Sequence, residues 1–287
     1  MSRLRSLVSL VVAGTAAVAC TADQALPTSP TAESPAANLD VSAAAVPLWE
    51  LTILPVLPGG TWTEATAVND SGTVVGFGDV AGGAVHAFKF RNGVMQDIGA
   101  QLGYINTKAL GINVKGEIVG SANTTARPRS TTAVVWSQAG QLSPLPGTGA
   151  VRASIARGIN ALGMVVGSFR TTPGDWHAAR WTSAGLEDFD AGMPAGRSSE
   201  ARAVNDAGEV VGFGDYYTTW SLYSGVKWDA AKNPTFLYGT NNGTVYADSS
   251  EAYDINNAGQ WVAWSSEPIP GYGSGYSTWF DVSCIHR

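Results

Sequence analysis

The chain of 287 residues carries 17 lysines and arginines against 23 aspartates and glutamates, a formal net charge of −6. An acidic, weakly charged chain without a basic run argues against nucleic acid as a partner and against electrostatic binding to anionic lipid. Only two cysteines occur, one of them at a predicted cleavage site, so no disulfide framework is expected and core packing must hold the fold.

Residues 1–19 have the three parts of an export signal: basic residues, an apolar run and small residues that end before Cys20. Two cleavage signals overlap there. Ala17 and Ala19 fit an ordinary signal-peptidase site, whereas Val18-Ala19-Cys20 resembles the end of a bacterial lipobox. Both cut the same bond and differ in whether Cys20 then carries lipid. We expect an exported protein, either secreted or a cell-surface lipoprotein that contacts the membrane only through Cys20.

Two further regions follow the signal. Residues 20–46 are rich in Ala, Pro, Ser and Thr, and such a segment buries too little apolar surface to offset its ordering entropy, so we expect a flexible stalk. Residues 47–287 hold nearly all the tryptophans and are long enough for one large all-β core. The helical period appears nowhere beyond the signal.

A short phrase occurs five times along the chain, first at residues 65–76. Repeats of this length are typical of circular or stacked arrays, because one unit alone cannot bury its apolar face. Each unit predicts four short strands, the first two joined by an Asn-x-x-Gly turn whose glycine has positive φ. The turn asparagines are Asn69, Asn113, Asn160, Asn205 and Asn256, at steps of 44, 47, 45 and 51 residues.

Two positional patterns indicate how the units pack. In the first strand, the positions two and four before the asparagine are small in almost every unit, so another segment must approach closely there. The third strand ends in a large ring, which favours packing between units, with a sugar-stacking platform as the alternative. The rings are Phe90, Trp136, Trp181, Trp228 and Phe280.

The two ends of the repeat region favour a closed ring over an open solenoid. The fifth unit lacks a convincing fourth strand, while Leu48–Gly59 precedes the first unit with nothing to pair to. This orphan segment ends much like residues 142–147 at the end of the second unit. The sequence therefore predicts a five-bladed β-propeller of four-stranded antiparallel blades, closed by an N-terminal strand that removes both free edges.

The repeat phrase, followed by His86-Ala87-Phe88, resembles the HAF-type bacterial extracellular repeat family. The resemblance covers roughly residues 48–280. It implies export, but it implies no biochemical activity, cofactor or catalytic motif. The later units depart from the triplet, and the fifth replaces Val-Val-Gly with Trp261-Val262-Ala263.

Metal and cofactor signals are weak. We expect His86 and His177, at equivalent positions of two units, to be strand-surface residues, and no zinc-ligand spacing includes them or His286. Oxygen-rich loops are the alternative for Ca²⁺, but none matches an EF-hand or a nonapeptide calcium repeat. The aspartates concerned are Asp70, Asp79, Asp206 and Asp215. We expect neither a metal nor a cofactor.

Four carboxylates near the predicted axis are the candidate ligand-binding residues. Glu64, Glu200 and Glu251 all lie five residues before their asparagine, and Asp254 occupies a position that is Ala or Gly elsewhere. Two carboxyls facing one pocket can act as acid and base in glycoside hydrolysis. However, an active site breaks symmetry whereas these glutamates follow it, so solvated charges, paired with Arg157 and Arg202, are the favoured interpretation.

The sequence thus predicts a non-enzymatic binding or interaction module on the cell surface, with carbohydrate or another envelope protein as its partner. The alternatives are a secreted glycan-processing enzyme that uses axial carboxylates, and a purely structural envelope protein. No phosphate loop, nucleophile elbow or cysteine–histidine pair supports another chemistry.

Overall fold

The computed structural model describes residues 51–124, 131–170, 175–190, 197–215, 224–236 and 250–265, and the short segments 239–241, 244–246, 267–268, 277–278 and 283–285. The predicted signal, the lipidation site at Cys20 and the stalk lie outside these residues. The described part is all-β, with antiparallel pairing throughout. It contains a single 3₁₀ turn, Thr148–Ala150, and no helix of a length and hydropathy suited to crossing a bilayer.

Four sheets of four strands follow one another along the chain, as predicted, and in each the strands pair in sequence order. Sheet 1 comprises β1 Thr63–Val68, β2 Val74–Asp79, β3 Val85–Arg91 and β4 Val94–Asp97. Sheet 2 comprises β5 Asn106–Ile112, β6 Ile118–Asn123, β7 Thr132–Trp136 and β8 Leu142–Pro144. Sheet 3 comprises β9 Ala153–Ile159, β10 Val165–Arg170, β11 His177–Thr182 and β12 Gly185–Asp188. Sheet 4 comprises β13 Ser199–Val204, β14 Val210–Gly214, β15 Ser224–Trp228 and β16 Pro234–Phe236.

The last unit departs from this pattern. A hairpin, β17 Gly239–Asn241 and β18 Thr244–Tyr246, precedes sheet 5, which contains β19 Ser250–Ile255, β20 Trp261–Ser265 and β23 Ser283–Ile285. The two-residue strands β21 Glu267–Pro268 and β22 Ser277–Thr278 pair separately. Sheet 5 therefore has three strands among the described residues, where four were predicted.

The register also corrects the expected third strand of the fifth unit. Ile285 pairs with Trp261, the position that Trp136 takes opposite Ile118 in sheet 2. Phe280, predicted to end that strand, lies outside the described residues. The fifth unit therefore has its large residue on the second strand, at Trp261, and a branched one on the third.

The predicted N-terminal strand is absent from its described part, residues 51–59, which form no strand and pair with no strand of sheet 5. Instead, Leu57 is fully buried against Val74 and Phe88 of sheet 1. Closure of the array is therefore not seen in the described residues.

The repeated turns have the predicted chemistry. In the first, the Gly72 N–H donates to the Asn69 carbonyl at 2.9 Å, and Gly72 has a φ of +73°, where an L side chain would be strained. The Asn69 Oδ1 accepts hydrogen bonds from the backbone N–H groups of Ser71 and Thr73. The asparagine thus caps its own turn, and the glycine relieves its strain.

The core is divided into clusters that span neighbouring sheets, which confirms packing between units. Trp136 is fully buried between sheets 1 and 2, with Val75 and Ile98. Trp181 and Trp228 occupy the same position in the next two clusters and are 2% and 1% exposed. Rings this deeply buried have no face for a sugar, so the stacking-platform alternative is wrong at these three positions.

The close approach predicted for the first strands is also present. A Cβ on Gly111 would lie 2.7 Å from the Arg157 carbonyl oxygen, and one on Gly158 equally close to the Arg202 carbonyl oxygen. The backbone carbonyls of one first strand therefore lie against the side-chain face of the first strand before it. Only small residues fit at this contact.

Candidate functional site

Each first strand contains a β-bulge that redirects one side chain. In sheet 4 the register steps from Ala201 paired with Gly212 to Ala203 paired with Val211, which leaves Arg202 as the extra residue. Bulges re-aim side chains and are common next to binding sites. The bulged residues of the five units are Thr66, Leu110, Arg157, Arg202 and Tyr253.

The bulged arginines lie beside two of the four predicted carboxylates and form a cluster of alternating charges across three units. Arg157 Nη2 is 2.6 Å from Glu200 Oε2, and Arg202 Nε is 3.2 Å from Glu200 Oε1. Arg202 Nη2 continues the chain to Glu251 Oε2 at 2.8 Å. We call these four residues the axial charge cluster.

Aromatic rings complete the cluster around its central arginine. The Arg202 guanidinium carbon lies 4.7 Å from the centre of the Phe213 ring and 4.4 Å from that of Tyr253. The Tyr253 hydroxyl donates to Glu251 at 3.2 Å. Burial opposes the charge of Arg202, but the Tyr253 hydroxyl and the carboxylates of Glu251 and Glu200 outweigh it and raise the pKa of Arg202. The guanidinium is therefore permanently charged and holds both glutamates.

Asp254 has a different environment, although it lies next to Tyr253 on β19. The residue as a whole is exposed, yet the surrounding protein desolvates its carboxyl and so raises its pKa. The Ile255 N–H, which donates to Oδ1 at 2.9 Å, lowers the pKa but does not outweigh the desolvation. Asp254 is therefore a predicted site residue whose surroundings favour the protonated carboxyl.

Glu64 is not part of the axial charge cluster. It occupies the position of Glu200 and Glu251, because it pairs across the strands with Phe77 as they pair with Phe213 and Trp264. However, it is exposed and forms no ion pair with another described residue. The structure therefore joins two of the predicted glutamates through Arg202 and leaves the third apart.

Three of the four aspartates considered for Ca²⁺, namely Asp79, Asp206 and Asp215, have protein partners. Asp79 accepts hydrogen bonds from the Trp62 and Thr61 backbone N–H groups at 2.9 and 2.6 Å, which lower its pKa. Asp215 pairs with Arg197 at 3.0 Å. Both carboxylates therefore tie the beginning of a first strand to the end of its second strand, a structural role.

A cavity of about 360 Å³ lies at the end of sheet 2 opposite its Asn-x-x-Gly turn, beside residues 148–151 that lead to sheet 3. Its wall carries no charged residue and combines one aromatic ring with hydroxyl and amide groups. The polar residues of the wall are Tyr104, Asn123, Thr124, Thr131, Thr132 and Thr148.

Two of these wall residues are held in place by the protein. The Thr148 hydroxyl donates to the Leu145 carbonyl at 2.8 Å, and Asn123 Oδ1 accepts a bond from Asn106 Nδ2 at 3.0 Å. The hydroxyls of Tyr104 and Thr132 make no hydrogen bond to another described residue. These groups can therefore bind a polar ligand without breaking a hydrogen bond to a described residue.

The cavity was not predicted from the sequence, because isolated threonines near strand ends form no recognisable motif.

No protein-family model matches the chain, and no functionally curated protein is similar to it. The resemblance to the HAF-type repeat thus remains a prediction.

Proposed function

We propose that this protein is an exported, surface-anchored five-bladed β-propeller that binds carbohydrate without transforming it. The observation that carries this proposal is the uncharged cavity lined by Tyr104 and several threonines. Sugar sites combine an aromatic face with a few fixed polar groups in a concave wall, and this volume lies within the range of small-ligand pockets.

The closed propeller is supported by the way in which Leu57 meets sheet 1. Leu57 packs on Val74 and Phe88 as Leu145, at the end of the second unit, packs on Val165 and Ala179 of sheet 3. Leu57 therefore takes the position next to sheet 1 that Leu145, at the end of the second unit, takes next to sheet 3.

The turn after this leucine is also shared. The Gly60 N–H donates to the Leu57 carbonyl at 2.9 Å, and the Thr148 N–H donates to the Leu145 carbonyl at 3.4 Å. Gly59 and Gly147 have φ values of 73° and 76°. Since the N-terminal segment ends like a fourth strand, we infer that it completes the fifth blade and closes the ring.

A hydroxyl at the start of each first strand supports the same inference. Ser154 Oγ accepts the Ala133 N–H of the preceding sheet at 2.9 Å, and Thr107, Ser199 and Ser250 make the equivalent contact. The first unit keeps such a hydroxyl at Thr63, although no unit precedes it in the chain. A closed ring gives Thr63 the fifth sheet as its partner.

The axial charge cluster favours binding over hydrolysis. A glycosidase needs one carboxyl that carries a proton and one that is ionised. Glu200 and Glu251 both form ion pairs with Arg202, so both carboxylates are occupied by protein contacts. This arrangement supports binding or a structural role rather than hydrolysis.

A second candidate, the secreted glycan-processing enzyme, is favoured by Asp254, because a carboxyl of raised pKa is what a general acid requires. A purely structural envelope protein remains the outcome if no glycan binds. Export and a lipid on Cys20 rest on the sequence, as does membership of the HAF-type repeat family, and palmitate labelling of wild type and Cys20→Ala tests the lipid directly.

A glycan array probed with the full chain tests the binding proposal. We expect retention of at least one glycan without release of hydrolysis products. Tyr104→Phe removes one hydroxyl and Thr132→Val replaces one with a methyl group, and each change should weaken that binding by roughly 0.5–1.5 kcal/mol. The matched control is Glu251→Gln in the axial charge cluster, which should leave the affinity unchanged.

Three results would contradict the proposal. Silence from every glycan would support a structural role or a protein partner. If Tyr104→Phe and Thr132→Val bound the glycan as tightly as wild type, the cavity would not be the binding site. Hydrolysis abolished by Asp254→Asn would establish the enzyme instead.

A further inference from the structure

Three side chains of types that bind metal ions lie close together on β11, on β12 and in the loop after β12 in sheet 3. His177 begins β11, Asp188 ends β12, and Asp190 follows two residues later. One ligand atom from each lies within 4.8 Å of the other two. His177 Nδ1 and Asp188 Oδ2 are already 3.0 Å apart. The sequence hid this group because its members come from two strands and a following loop.

Sheet 1 contains the same arrangement without its third member. His86 Nδ1 lies 2.7 Å from Asp97 Oδ2, and the residue two positions after Asp97 is Gly99. A Cβ on Gly99 would lie 2.5 Å from Thr107 Oγ1, so no side chain fits there. The histidine–aspartate pair is thus a feature of the repeat, whereas the second carboxylate is specific to sheet 3.

The second carboxylate is deeply buried. Asp190 is only 3% exposed, and its Oδ2 accepts the Ala178 N–H at 3.3 Å. Its own N–H donates to Asp188 Oδ1 at 2.8 Å, which fixes the two aspartates relative to each other. The side chains of His177 and Asp188 are 34% and 28% exposed, so the group is open to solvent on their side.

We propose that His177, Asp188 and Asp190 bind a divalent transition-metal ion of the Zn²⁺ class. One imidazole with two carboxylates is a ligand set for such ions, since imidazole disfavours Mg²⁺ and Ca²⁺. Ligand atoms about 2.1 Å from one ion lie about 3.4 Å apart in a tetrahedral site, so side-chain movements of roughly 1–1.5 Å bring the three atoms to one ion. The ion replaces the direct contact between His177 and Asp188.

The ring of His177 is positioned by more than this contact. It meets the Phe169 ring edge to face, with centroids 5.7 Å apart. Such a contact restricts the imidazole to a narrow range of orientations. With three protein ligands, one tetrahedral position remains for water or for a group of a bound molecule.

The test is Zn²⁺ binding to the full chain, purified without a polyhistidine tag and freed of metal by a chelator. Calorimetric titration should give one Zn²⁺ per chain, and the thermal midpoint should rise with Zn²⁺ concentration. His177→Gln and Asp190→Asn should each weaken Zn²⁺ binding by roughly tenfold or more, since outer-sphere changes alone cost that much.

The matched controls are His86→Gln and Asp97→Asn, which alter the two-ligand pair of sheet 1 and should leave Zn²⁺ affinity within about twofold of wild type, being well separated from the site. The near-isosteric Asp190→Asn keeps the volume at a buried position, and far-ultraviolet circular dichroism checks its fold. The proposal is overturned if no saturable Zn²⁺ binding occurs, if Asp190→Asn binds as wild type does, or if the sheet 1 variants lose binding equally.

Discussion

The side-chain amide of Asn113 donates a hydrogen bond to the backbone carbonyl of Asn160, 3.1 Å away, across the boundary between sheets 2 and 3. Asn113 Oδ1 meanwhile caps its own turn through the Lys115 and Glu117 N–H groups. One side chain thus fixes a turn and joins it to the next unit. The same inter-unit bond runs from Asn69 to Asn113, from Asn160 to Asn205 and from Asn205 to Asn256.

Asn113→Ala should lower the free energy of unfolding by about 1–3 kcal/mol, because Asn113 is buried and its loss leaves backbone groups of two units unsatisfied. Urea unfolding measures this. The control is Asn233→Ala, whose bonds lie within one exposed hairpin and whose loss should cost less than about 0.5 kcal/mol. Equal losses would show that the inter-unit bond contributes nothing.

Gly158→Ala should destabilise the protein by about 1–3 kcal/mol, because the added Cβ would lie 2.7 Å from the Arg202 carbonyl oxygen. Gly149 is the comparison, since a Cβ there meets no atom within 4 Å and its φ is not positive. Gly149→Ala should leave the urea midpoint nearly unchanged. If both variants tolerated alanine alike, the first strands would be farther apart than described.

Trp136 and Trp181 occupy equivalent positions but differ in one hydrogen bond. The Trp136 Nε1–H donates to the Ile98 carbonyl at 2.9 Å, whereas the buried Trp181 Nε1–H has no partner among the described residues. Trp136→Phe should therefore cost about 1 kcal/mol more than Trp181→Phe, although both remove the same volume. Thermal or urea unfolding of the pair decides, and a larger loss at Trp181 would contradict this assignment.

The effect of Asp254 on stability should depend on pH. Burial raises its folded pKa above the unfolded one, so the native state binds the extra proton and loses stability as the pH rises through the folded pKa. Asp254→Asn should therefore stabilise the protein at pH 7, and this gain should vanish when the pH lies well below 3.8, the ordinary pKa of an aspartate. The measurement is urea unfolding of variant and wild type at both pH values.

Asp229 provides the opposite sign. Hydrogen bonds from the Asn233 side chain and backbone lower its pKa, so its contribution is present above the unfolded pKa and is lost as the pH falls. Asp229→Asn should thus destabilise the protein at pH 7. If Asp254→Asn were less stable than wild type at pH 7, as we expect for Asp229→Asn, the assignment of a raised pKa to Asp254 would be wrong.

Periodicity was sufficient to predict the strands and turns of the first four units and the buried rings of the second, third and fourth, because each depends on residue types at fixed spacing. Periodicity did not predict the β-bulge that turns Arg202 toward Glu200 and Glu251, since a bulge breaks the alternation of the strand, although the predicted pairing of Arg157 and Arg202 with acidic neighbours is confirmed. It failed again in the fifth unit, where Trp261 and Ile285 exchange the sizes found elsewhere. Asp190 carried no signal, because only folding brings it to His177.

Closure of the five sheets into a ring is the central claim, and it is tested most directly by distances between spin labels on the exposed repeat turns. Labels at Asp70 and Lys115 report neighbouring units, and labels at Asp70 and Leu162 report units two apart. The decisive pair is Asp70 and Asn257, in the first and fifth turns, with both native cysteines replaced by serine. A closed propeller predicts that this distance matches the neighbouring-unit pair; an Asp70–Asn257 distance longer than both others would contradict it and establish an open array.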